Sequence, residues 1–126
     1  KLRPLLHTAA GIGADIPIWD IRHGFGDTNM LVTTLAQGDD LAERLGANRV
    51  VLMRGHGSAV AGISIRDAVH TSVYLKVNAQ LQTEAMRMGG DIVYLSDGEI
   101  AEMQKSARSG HTRAWEYWAR RAGIAS

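Results

Sequence analysis

Arg49-Val-Val-Leu-Met-Arg-Gly-His-Gly-Ser58 is an apolar run that ends in a histidine held between two glycines. Val50 to Met53 suit a buried strand, being short, aliphatic and bounded by turn residues. Gly55 and Gly57 free the backbone for a tight turn with unusual φ values and so set His56 on open ground at the strand's end, where a ligand histidine would sit. Ala59-Val-Ala-Gly62 reads as a short return strand. Ser64 then opens a helix as N-cap, with the acid of Asp67 three residues on in capping-box style. This helix extends to about Met88, and Gly89-Gly90 stops it. Its row Ile65, Val69, Val73, Val77, Leu81 and Ala85 keeps i, i+4 spacing, which predicts one apolar stripe facing a sheet or another helix.

Working outward, Leu2 to about Gly11 reads as helical, with Pro4 tolerated in the first turn and Gly11 and Gly13 ending it. Ile16-Pro-Ile-Trp-Asp-Ile21 suits a short strand that Pro17 confines to an edge. Arg22 to Thr34, with Gly24, Gly26, Asp27 and Asn29, reads as an irregular connection. Asp39 or Asp40 caps a brief helix through Leu41 and Leu45 to a stop at Gly46. Past the long helix, Asp91 to Leu95 alternates as a further strand. Ser96-Asp-Gly-Glu99 offers a capping box for a helix through Ile100, Met103 and Ala107, and Gly110 breaks that pattern. A last helix, from about Thr112 to Ala122, carries Trp115, Tyr117 and Trp118, bulk that suits packing or a subunit contact. The pattern is α/β or α+β with few strands, in one domain spanning residues 1–126 without repeats or linkers.

A formal charge of +1 implies no broad basic field. Arg113, Arg120 and Arg121 form a cluster too small to argue for nucleic acid or a membrane surface, and read as a solvated helix face. The absence of cysteine excludes disulfides and thiol chemistry and fits a reducing compartment. No run is long and apolar enough for a membrane span, and no signal peptide opens the sequence, so the chain reads as soluble and cytoplasmic.

Arg3-Pro-Leu-Leu-His-Thr-Ala-Ala10, Val50 to Gly57, Gly62 to Ala68 and Glu84-Ala85 together resemble the class II aldolase/adducin family. Within it, Leu5 to Ala10 and Leu52 to Gly57 look most like the metal-dependent decarboxylases of hydroxylated aromatic or pyridine dicarboxylates. The resemblance covers the C-terminal half of the family domain, part of an α/β/α sheet fold. It implies a divalent ion (zinc, manganese or cobalt) held by three histidines and a nearby carboxylate at a subunit boundary of a homotetramer. Only the last histidine falls in this chain, at His56. The earlier His-x-His pair and the carboxylate would belong to a preceding N-terminal segment, either lost or supplied separately. A small-molecule substrate is implied, with no nucleic-acid or membrane partner.

Two readings stand for each remaining candidate. His7 is either a satisfied, half-buried histidine or a catalytic acid or base lining the site. Arg54 either meets a substrate carboxylate with its planar fork or serves as a surface ion-pair partner. Thr8, a candidate substrate-binding residue, stands where sugar-phosphate aldolases of the family tend to carry a tyrosine, and the missing phenol argues against aldol chemistry. His23, His70 and His111 read as structural, and Gly11-Ile-Gly13 lacks the third glycine or Lys-Ser/Thr of a phosphate loop. A class II aldolase or epimerase acting on a sugar phosphate is the alternative enzyme. An adducin-like interaction module that has lost its metal is the alternative outside catalysis.

Overall fold

A computed structural model describes residues 1–106 and 108–124. In chain order it contains a 3-10 helix at His7–Ile12, β1 (Ile18–Trp19), α1 (Arg22–Phe25), α2 (Leu35–Leu45), β2 (Val50–Met53), β3 (Gly57–Val60), α3 (Ile65–Met88), α4 (Asp97–Ser106) and α5 (Arg108–Arg121). Central β2 pairs in parallel with β1 and antiparallel with β3, with Leu52 opposite both Ile18 and Ser58. Successive side chains of a strand point to opposite faces, and both faces of β2 are covered. Val50 is buried with Ala9, Ile12, Ile16 and Leu75 beneath the 3-10 helix and α3, whereas Val51 joins Trp19 and Ile21 against Leu41 and Leu45 of α2. Helices on both faces of a small sheet give the α/β layering expected from the pattern.

Pro17 shortens β1 to two residues and leaves it at the edge, as predicted; its carbonyl still accepts from Leu52 N–H at 2.9 Å. Ser64 caps α3 by accepting from Asp67 N–H, and Gly89 ends that helix at φ 75°, both as read from the sequence, but no reciprocal box forms, because the Asp67 carboxylate accepts from Ile63 N–H and Arg49 instead. Ser96 and Glu99 complete the capping box of α4. Gly62 permits a close approach just before α3, where a Cβ would lie 2.6 Å from Ala68 N and 2.9 Å from Ala68 Cα. Those are backbone atoms of the first helical turn and cannot swing aside. Gly62→Ala is therefore expected to cost roughly 1–3 kcal/mol in urea unfolding, and a wild-type midpoint would refute this contact.

Several expectations are corrected. The apolar row of α3 is not its buried face: Ile65 is 76% exposed and Leu81 42%, and Val73, Val77 and Ala85 are only half-buried. The buried face instead carries Asp67, His70, Thr71, Leu75, Asn78 and Gln82. Asn78 and Gln82 face inward because the segment before the 3-10 helix is extended and takes its hydrogen bonds from them, while Asp67 and Thr71 turn in to meet Arg49. Asn78 Oδ1 accepts from Leu5 N–H and its Nδ2 donates to Arg3 C=O, both at 2.7 Å; Gln82 repeats the pattern with Arg3 N–H and Lys1 C=O. Leu2 to Leu6 is accordingly not helical, and the 3-10 helix begins only at His7.

Helix α2 starts at Leu35, earlier than Asp39 or Asp40, because Thr34 and Gln37 form a reciprocal capping box. The connection from Arg22 to Thr34 holds one helical turn, α1. Asp91 to Leu95 forms no strand: Leu95 N–H reaches Pro4 C=O at 3.0 Å, but the extended segment is already occupied by the α3 amides. Gly110 does not break the last helix, which begins at Arg108. Ala107 lies outside the described residues. Among the described residues no helix is long and apolar enough to cross a membrane.

Candidate functional site

Met53 pairs with Gly57, so Arg54, Gly55 and His56 form a three-residue hairpin loop. Gly55 has φ +66°, a conformation that calls for glycine, and its open Cα leaves room for the Met30 methyl, which a Cβ would push aside. His56 N–H donates to Met53 C=O at 3.0 Å, which ties the loop down through the main chain. The imidazole itself is exposed and makes no hydrogen bond or ion pair among the described residues. An unengaged imidazole on a main-chain-fixed turn is available to a metal or a substrate.

The parallel pairing sets the neighbouring chemistry. Arg54 N–H donates to Trp19 C=O, which brings the carboxyl ends of β1 and β2 together and puts Asp20 beside Arg54. Arg54 Nε lies 2.7 Å from Asp20 Oδ2, and Arg22 Nη2 lies 2.9 Å from the same oxygen. Arg22 above all, then Arg54, hold the Asp20 carboxyl far below the usual carboxylate range despite some desolvation. Asp20 thus anchors two guanidinium groups at the strand ends, the side of an open α/β sheet on which ligands bind. Beyond β1 it also borders a cleft of about 580 Å³ shared with His23, Asp40 and Arg44. The sequence reading missed Asp20. Its available signal was an acid directly following an edge strand, level with the arginine that ends the next one.

Arg54 and His56 therefore share one loop, and the ion-pair reading of Arg54 is met by Asp20. His7 and Thr8 stand apart from that loop at the start of the 3-10 helix, and both are exposed, so His7 is not the half-buried residue of the bland account. Thr8 opens onto a different cleft, formed with α3 and α5. His23 is exposed on α1.

His70 and His111 meet between α3 and α5, with ring centroids 4.0 Å apart, and Asp67 Oδ1 lies 3.5 Å from His111 Nδ1. Burial would raise the Asp67 carboxyl, but hydrogen bonds from Ile63 N–H and Arg49 hold it below its ordinary value. Burial, helped by neighbouring His111, pushes His70 down from 6.5 to about 4, with Asp67 only partly opposing. The unfolded chain then binds the proton first, so the contribution of neutral His70 to stability is complete above 6.5 and fades as pH falls towards about 4. The melting temperature is expected to fall across that window, and less steeply in His70→Phe. Equal slopes for the two proteins would contradict the assignment.

Comparison with known proteins assigns the lineage. Residues 1–83 match the Class II Aldolase and Adducin N-terminal domain. The chain belongs to this family. It is 30% identical over 141 residues to Decarboxylase tropJ of Talaromyces stipitatus, covering 95% of this chain and 53% of that protein. An aldolase II superfamily protein from Pseudomonas syringae shares the fold, with a TM-score of 0.69 at 20% identity over 95% of this chain and 47% of the other. The chain spans about half the length of these relatives.

For a class II aldolase family member, the question is whether these residues fit a divalent ion. His56 fits as one ligand, a free imidazole on a fixed turn. Among the described residues no three histidine, cysteine, aspartate or glutamate side chains converge into a metal site, and a catalytic zinc-type centre takes three protein ligands. These residues can contribute to a metal centre without completing one.

Proposed function

We propose that the chain carries part of the active site of a metal-dependent decarboxylase, a carbon–carbon lyase acting on a hydroxylated aromatic or pyridine dicarboxylate. The carrying observation is the unengaged His56 imidazole on the loop that also presents Arg54, anchored by Asp20. The likeness to a protein named a decarboxylase over nearly the whole chain supports the same reading. A bound zinc, manganese or cobalt ion supplies Lewis acidity for the negative charge that develops as carbon dioxide leaves. His56 provides one ligand, and the others come from protein outside these 126 residues, either an N-terminal portion of the domain or another subunit of a homotetramer.

Arg54 holds a substrate carboxylate, its orientation fixed through Nε by Asp20. When the carbon–carboxylate bond breaks, its electron pair stays on the ring carbon, and His7, meeting the hairpin of another subunit across the subunit boundary, supplies the proton there. His7→Ala is expected to lower kcat roughly a hundredfold, with KM and metal content little changed. An unchanged kcat would remove His7 from the reaction.

The discriminating experiment offers the protein an ortho-hydroxy phthalate and a panel of phosphorylated sugars, each with and without added manganese. Carbon dioxide release that depends on the metal, with no sugar-phosphate cleavage, is the expected result. Cleavage of a sugar phosphate alone would make the protein an aldolase. Neither activity, with no metal bound, would make it an adducin-like module.

A further inference from the structure

A second cleft, of about 470 Å³, is walled by the 3-10 helix, α3 and α5 and contains neither Arg54 nor His56. His70, Tyr74 and Trp118 give it aromatic walls. Tyr74 and Trp118 have centroids 6.4 Å apart with their planes inclined at 45°, and His70 lies 4.6 Å from Tyr74. The pair is therefore not closed into a stack on itself. No acidic side chain lines the cleft, whereas Arg113 does.

Two groups here lack a hydrogen-bond partner among the described residues. Arg113 makes no ion pair or hydrogen bond among the described residues, while Arg3, Arg22, Arg49, Arg54 and Arg87 each face a carboxylate. His70 is 6% exposed, and its buried Nδ1 has no hydrogen-bond partner. A cation, a buried imidazole and π-faces around a space of this size match a planar acid of one or two rings and are too small a set for a dinucleotide.

We propose that this cleft binds an aromatic carboxylate, with the ring against Tyr74 and Trp118, the carboxylate on Arg113, and the His70 ring forming part of the wall. The site is separate from the His56 loop and needs no metal, so it stands or falls independently of the decarboxylase reading.

The test is calorimetric titration of the chelator-stripped protein with 2-naphthoate, decahydro-2-naphthoate and 2-naphthamide. Naphthoate is expected to bind, with the saturated acid and the uncharged amide each roughly fivefold weaker or more. Arg113→Gln, an exposed change that leaves folding intact, is expected to weaken naphthoate about tenfold, and Trp118→Leu about fivefold. His56→Ala is expected to bind like wild type. No binding, equal binding by Arg113→Gln, or loss of binding in His56→Ala would each overturn the proposal. The last of these would relocate the acid to the hairpin and leave the decarboxylase reading intact.

Discussion

His56→Ala is expected to abolish metal-stimulated carbon dioxide release, by at least about a hundredfold, since even residues that only support a metal ligand cost 10–100-fold when lost. The same variant should unfold within about 0.5 kcal/mol of wild type, as exposed substitutions without partners usually do. The physical reason is the division of labour in the loop. Its shape is held by Gly55 at φ +66° and by the His56 N–H to Met53 C=O bond, neither of which needs the imidazole. Chemistry and folding are therefore separable at this residue. Retained metal-dependent activity in the alanine variant would remove His56 from the site, and a collapsed fold would show that its side chain is structural.

The largest stability effect is expected at Asn78. Its side chain is fully buried, and its amide acts as a surrogate strand, accepting from Leu5 N–H and donating to Arg3 C=O. Asn78→Ala leaves one N–H and one C=O without partners in a buried setting, which is expected to cost about 2–4 kcal/mol. Asn78→Asp should not rescue it, because a carboxylate can accept from Leu5 but cannot donate to Arg3. Gln82→Ala, with weaker burial, should cost less. Chemical denaturation of the three variants checks the order, and a near-wild-type midpoint for Asn78→Ala would show that the N-terminal segment is held by other means.

These amides also explain where reading the sequence works and where it stops. The His-Gly loop, the Ser64 cap and the Gly89 stop were legible because glycine geometry and capping act within a few residues. Which way α3 faces was not. Periodicity identified the row from Ile65 to Ala85, but the row that turns inward is chosen by partners far along the chain, the backbone of residues 1–5 and Arg49. The missing strand at Asp91 to Leu95 has the same origin. Alternation makes a segment fit for a ladder, yet the backbone that Leu95 meets at Pro4 is already bonded on either side, at Arg3 and Leu5, to Asn78 and Gln82. At the site, His56 and Arg54 were visible from the motif. Asp20 was not, because its meeting with Arg54 depends on the parallel register of β1 and β2.

The central claim, that His56 binds a catalytic divalent ion, is tested most directly by elemental mass spectrometry on dialysed wild-type protein and His56→Ala, each assembled with the portion that carries the other ligands. The account predicts about one divalent ion per chain in the wild type and little or none in the variant. No retained metal in the wild type, or equal occupancy in the two proteins, would contradict it.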